Sequence, residues 1–175
     1  LVTCLSIVLC LSTLSALLTF HGAETPEQTA FHVHPETMAV IAGETFSVNI
    51  TLENMPADPG AAGIAFKLNW NSTLLEGVSI YLPTGHFMTP DGDDGNLWVI
   101  AKSIHASYAE YGVTYYNITR AIEMGYVPKS GNGTLAIVTL QAIACGETTL
   151  HLFDTVIGDP IGNPLAHTTV DGNVK

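Results

Sequence analysis

Apolar and polar residues alternate along this chain in short bursts. In Thr45–Leu52, "TFSVNITL", Phe46, Val48, Ile50 and Leu52 share one face. In Ala62–Trp70, "AGIAFKLNW", Ile64, Phe66, Leu68 and Trp70 share one face, and Gly63, Ala65, Lys67 and Asn69 share the other. A repeat of two puts alternate side chains on opposite sides of an extended strand, so both stretches read as strands with one buried face. The same reading gives further strands over Thr37–Ile41, Gly77–Leu82, Leu97–Tyr108, Val113–Ile118, Thr134–Ile143, Thr148–Phe153 and Thr169–Val174, nine in all. Between them lie turn formers such as "NMPADPG", "SGNG" and "GDPIGNP". Leu74 and Leu75 are placed to plug the edge where the chain leaves its strand, and "LAIVTLQAI" is apolar on both faces, as a central strand would be. Only "NITRAIEMGY" offers a helical turn or two, ending at Gly125. Strands recurring about every ten residues between Gly and Pro signals predict an all-β sandwich or jelly roll.

The 175-residue chain is long enough for one ordinary domain and a leader. Residues 1–23 open with an uncharged apolar run, "LVTCLSIVLCLSTLSALLTF", which reads as a signal peptide or an N-terminal anchor. Either implies a secreted protein or one on the extracellular cell surface, touching a membrane only through this segment or through a C-terminal anchor beyond the sequence. Residues 24–36 read as a spacer and 37–175 as the domain. Past the leader one cysteine remains, Cys145, which has no partner for an internal disulfide and reads as a small buried hydrophobe. Four Asn-x-Ser/Thr sequons, at Asn49, Asn71, Asn117 and Asn132, fit a glycosylated outer surface. Sixteen acids against five Lys and Arg, a net charge of −11, exclude the phosphate contacts that nucleic-acid binding needs.

Catalytic signals are sparse. There is no Gly-x-Ser-x-Gly elbow, phosphate loop or His-Glu-x-x-His, and the Asp clusters sit among turn formers, where Asp serves the backbone. The chain is therefore read as non-catalytic. Asp91, Asp93 and Asp94 in "DGDDGN" suit Ca²⁺, though the spacing is not that of a helix–loop–helix site and a solvated turn explains them as well; no other cofactor is implied. His32 and His34 in "FHVHP" share a strand face and form a chelating pair, but no third ligand stands near them in sequence. Trp98, Tyr108, Tyr111 and Tyr115 are the candidates for stacking against sugar rings, provided that they are exposed in a row.

Five stretches occur in order: "GETFSVNITLENM", "AGIAFKLNWNSTLLEGVSI", "SGNGTLAIVTLQAI", "GETTLHLFD" and "HTTVDGNV". Together they resemble the cohesin domain, in particular the divergent cohesin-like modules of archaeal and bacterial surface proteins, relatives in fold of carbohydrate-binding modules. Trp70, Asn71, Leu74 or Leu75, Gly133, Asp171, Gly172 and Val174 stand where that pattern places its aromatic, plug, leader Gly and closing Asp-Gly-x-Val. The resemblance implies a nine-stranded jelly roll that assembles with a protein partner, a calcium-loaded dockerin. The partner face it implies is Gly63, Ala65, Lys67 and Asn69, with Gly63 and Ala65 where dockerin-binding cohesins commonly carry polar residues. The alternative reading is a carbohydrate-binding module of a polysaccharide-degrading or cell-surface system.

Overall fold

The computed structural model describes residues 27–90, 97–115 and 128–175. The leader, Asp91, Asp93, Asp94, Asn117 and the turn expected to end at Gly125 lie outside the described residues.

Two mixed, open sheets face each other, and no helix occurs among the described residues. The strands run β1 (Ala30–His34), β2 (Thr37–Met38), β3 (Thr45–Met55), β4 (Gly63–Asn69), β5 (Leu75–Tyr81), β6 (Leu97–Ile104), β7 (Tyr108–Tyr115), β8 (Gly131–Ala142), β9 (Thr148–Gly158), β10 (Thr168–Val170) and β11 (Gly172–Val174). The first sheet is ordered β10-β1-β3-β8-β5 and the second β2-β11-β9-β4-β7-β6. Neighbours are antiparallel except β1 with β10 and β2 with β11. The all-β sandwich expected from the alternation is what the chain builds.

Among the described residues eleven strands replace the expected nine, because β1 is added and the closing strand splits in two. The expected strands Leu97–Tyr108 and Val113–Ile118 become the hairpin β6–β7 without changing the count, because the chain turns back at His105–Ser107, where the His105 amide donates to the Tyr108 carbonyl. The closing segment steps from the first sheet to the second at Asp171 and counts twice, as β10 and β11. The first strand lies inside the stretch expected to be a spacer. Residues 30–34 pair with both β10 and β3, and Phe31 and Val33 are fully buried. Two large apolar residues, Phe31 and Val33, in a five-residue segment with two histidines gave too short an alternation to register.

The core lies where the alternation puts it. Val48, Ile50 and Leu52 from β3 meet Ile64, Phe66 and Leu68 from β4, all essentially inaccessible, with Trp70 and Leu75 closing one end. Phe46 and Leu74 are half-buried at the margin. In β8 the ambiguity resolves as Val138, Leu140 and Ala142 inward and Thr139 and Gln141 outward. Cys145 is exposed, in the turn between β8 and β9, rather than in the core.

The closing Asp-Gly-x-Val now has a physical cause. Asp171 accepts hydrogen bonds from the Leu152 amide (2.9 Å) and from His151 Nδ1 (2.6 Å), which ties the sheet switch to β9. At Gly172 a Cβ would stand 2.7 Å from Val33 Cγ1, closer than real Cβ atoms come, so the strand can cross there only without a side chain.

Candidate binding face

The outward row of β4 is Gly63, Ala65, Lys67 and Asn69, because Ile64, Phe66 and Leu68 point into the core. Register extends each of these across the sheet. Gly63 lies beside Thr114 on β7, which in turn pairs with Trp98 on β6. Ala65 lies beside Val156 on β9 and Gly112 on β7, and Gly112 lies beside Ala101 on β6. A Cβ at Gly112 would sit 3.6 Å from the Ala65 Cβ and 3.8 Å from the Ala101 Cβ, so all three face the same way. The result is a shallow trough floored by Gly63, Ala65, Gly112 and Ala101.

Apolar groups rim that trough. Trp98 (55% exposed), Ile100 at the β6 bulge (62%) and Val156 (49%) border it, and Ile161 (83%) projects from the loop after β9. An open depression of about 520 Å³ continues the trough where β4 begins, lined by Gly63, Thr114, Gly158 and the 159–162 turn. Its one carboxylate, Asp159, is occupied by the turn, accepting from the Ile161 and Asn163 amides at 2.9 and 2.8 Å.

The other half of the face is aromatic and charged. Lys67 reaches across to Asp154 (3.0 Å), and its Nζ lies 5.9 Å from the Tyr108 ring centre and 5.8 Å from that of Phe153. That hydrogen bond from Lys67 to Asp154 is the main reason the lysine is held above its usual pKa. His105 stacks on Tyr108 and His151 on Phe153, while His105 and His151 pair with Glu110 and Asp171. Lys67 is thus committed within the sheet rather than standing alone, and Asn69 is half-buried beside His151 and Tyr108.

The proposed row of sugar-stacking rings does not form. Tyr111 and Tyr115 alternate inward with Ala109 and Val113 and are buried; Tyr115 donates a 2.6 Å hydrogen bond to the Met88 carbonyl. Trp98 and Tyr108 do face outward, but they mark opposite ends of β7, about 20 Å apart at roughly 3.3 Å per residue. Sequence reasoning treated the tyrosines as one resource, although the alternation within "YAEYGVTY" already separates Tyr108 from Tyr111 and Tyr115.

Tyr111 stacks on Phe66 with ring centres 4.9 Å apart, and its buried hydroxyl has no hydrogen-bond partner among the described residues. Burial pushes the phenol well above its ordinary pKa of about 10. The folded value is raised, so stability is complete below about pH 10 and falls as pH rises toward the folded value, by about 1.4 kcal/mol per unit. Tyr111→Phe should flatten the urea-melt stability profile above pH 10 and cost little or nothing at pH 7, because it removes an unsatisfied group.

The first sheet is polar over β3 and β8, while exposed Val78 and Tyr81 lie on its edge strand β5. Ser47 and Thr139 hydrogen-bond across β3 and β8 at 3.0 Å, and Thr51 donates to Glu53 at 3.2 Å. Asn49 is exposed on this face, and Asn71 and Asn132 are exposed at strand ends, so three of the sequons are accessible to solvent. Across β1 and β3, His32 and His34 meet Glu53, which neither periodicity nor sequence distance placed there. The hydrogen bond with His34 is the main reason the Glu53 carboxyl lies below its ordinary value.

No family model matches the chain. Among curated proteins, the pentafunctional AROM polypeptide of Saccharomyces cerevisiae is 25% identical over 146 residues, which is 78% of this chain; the chain spans 8% of that relative's length. Solved structures are similar over most of the chain. A non-cellulosomal cohesin from Archaeoglobus fulgidus has a TM-score of 0.61 at 17% identity, covering 85% of this chain and 90% of that one. A type II cohesin domain from the cellulosome of Acetivibrio cellulolyticus has a TM-score of 0.67 at 14% identity, covering 85% and 95%. The Coh-OlpC–Doc435 complex, a type I cohesin–dockerin complex from Clostridium thermocellum, gives 0.62 at 16% identity, covering 88% and 97%. At these identities the likeness is one of fold.

Proposed function

We propose that this chain, which has the cohesin fold, is a non-catalytic, exported assembly module that engages a protein partner of the dockerin kind through the outer face of β9-β4-β7-β6. The observation that carries the reading is the trough floored by Gly63, Ala65, Gly112 and Ala101 and rimmed by Trp98, Ile100 and Val156. Exposed apolar residues are ordinary when scattered, but a contiguous patch on one face fits a binding surface. Over β3 and β8 the opposite exterior carries Ser–Thr and Thr–Glu hydrogen bonds, and its exposed Val78 and Tyr81 sit on the edge strand β5. Support from the fold is that similar structures include cohesins solved in complex with dockerins.

The floor changes the recognition chemistry. Where a polar row would hydrogen-bond its partner, Gly63 and Ala65 offer shape and close backbone approach, so affinity rests on apolar burial against Trp98 and Val156. Capture on immobilised domain of calcium-loaded dockerin proteins encoded near it tests this. Retention that needs calcium and survives high salt is the expected result, since the rim is uncharged. Retention of polysaccharide in place of any such protein would overturn it.

A further inference from the structure

We propose that His32, His34 and Glu53 form a binding site for a divalent transition metal of the zinc class, on the sheet exterior opposite the partner face. All three offer one ligand atom each, and these atoms lie within 4.8 Å of one another. His34 Nε2 stands 2.8 Å and His32 Nε2 3.6 Å from the two Glu53 carboxylate oxygens. Zinc bonds of about 2.0–2.1 Å at tetrahedral angles hold donors about 3.3–3.4 Å apart, a spacing that these two distances bracket. The two imidazole donors lie within 4.8 Å of each other, so the rings would have to swing together by up to about 1.5 Å to reach that spacing. Two imidazoles and a carboxylate are also the ligand types that zinc and its neighbours favour, and the fourth position is left for water.

The sheet presets the arrangement. His32 and His34 alternate with buried Phe31 and Val33, so both rings face outward, stacked nearly parallel with centres 5.4 Å apart. The antiparallel register pairs His32 with Thr51 and Ala30 with Glu53, which sets the carboxylate diagonally across from the rings. Thr51 donates to the Glu53 oxygen that His34 faces, fixing the carboxylate from its other side, as outer contacts do at built metal sites.

Hydrogen bonding is incomplete without an ion. His32 Nδ1 is buried with no partner among the described residues, and Nε2 at 3.6 Å is too far from Glu53 for a hydrogen bond. An ion between the three donors would give His32 Nε2 the contact that Glu53 at 3.6 Å does not, while the buried Nδ1 keeps no partner among the described residues. Its structural effect would be to clip β1, a five-residue strand, to β3.

Calorimetric titration of the full chain with Zn²⁺ alone should show one site with Kd at or below about 10 µM, and a Tm that climbs with free Zn²⁺. Amide protection in β1 should rise with it. His34→Ala and Glu53→Gln should each weaken binding at least about tenfold, while circular dichroism shows both variants folded. His151→Ala and Cys145→Ser should leave the affinity unchanged. No heat up to about 1 mM Zn²⁺ would overturn the proposal, as would affinity that is kept in Glu53→Gln but lost in Cys145→Ser.

Discussion

Gly112→Arg should cut partner capture by more than about a hundredfold while leaving Tm within a degree or two. The position has ordinary strand geometry, with no positive φ, and a Cβ there comes no closer than ordinary contact, 3.6 Å from the Ala65 methyl and 3.8 Å from the Ala101 methyl and backbone nitrogen. The fold therefore tolerates a side chain, and glycine in a strand interior is itself somewhat unfavourable. A guanidinium rising from the floor of the trough would hold the partner off and would place an unpaired charge in a surface meant to be desolvated. A hundredfold loss is about 2.7 kcal/mol, within the range a central interface position carries. Gln141→Arg, on the exterior of the other sheet, serves as the control and should bind normally. Binding by Gly112→Arg at wild-type strength, measured by surface plasmon resonance on folded protein, would place the interface elsewhere.

Phe66→Ala should destabilise the domain by about 3–5 kcal/mol, the largest effect expected of any single core truncation here. Phe66 is 1% exposed, stacks on Tyr111 and meets Phe31 edge-on with ring centres 6.3 Å apart. It therefore joins β4 and β7 of one sheet to β1 of the other. Its removal leaves a cavity bounded by two large rings that rigid sheets hold in place, so collapse around the gap is limited. For a domain of this size the loss corresponds to a fall in Tm of about 10–20 °C. Thermal and urea melts should agree on the size of the effect. A loss below about 1.5 kcal/mol would mean that the two sheets are less firmly joined at this point than the packing implies.

Both expectations rest on strand faces that were legible before any fold was known. The inward sets Val48–Ile50–Leu52 and Ile64–Phe66–Leu68–Trp70 followed from alternation, and so did the outward row that became the centre of the trough. The same rule applied to "YAEYGVTY" separates Tyr108 from the buried Tyr111 and Tyr115. The condition set for sugar stacking, rings exposed in a row, fails at these two because their phase along the strand turns them into the core.

The neighbours of each row were not legible. Gly112, Ala101 and Val156 lie 47, 36 and 91 positions beyond Ala65, yet register sets Gly112 and Val156 beside it and Ala101 one strand further, beside Gly112. Glu53 reaches His34 in the same way, across β1–β3 pairing in a segment whose short alternation read as a spacer. Cys145 shows the converse: an apolar type guided the reading inward, but the turn it occupies put it in solvent.

The amino-acid order by itself determined which residues could be buried, where the chain must turn, and that the outcome is a two-layered β fold, because those depend on the pleat and on dihedral preferences a few residues long. Only the tertiary structure decided which strands lie side by side, and with them the trough on one exterior and the His–His–Glu cluster on the other. Pairing between distant strands is chosen by the burial of the whole sandwich, and no local pattern encodes that choice.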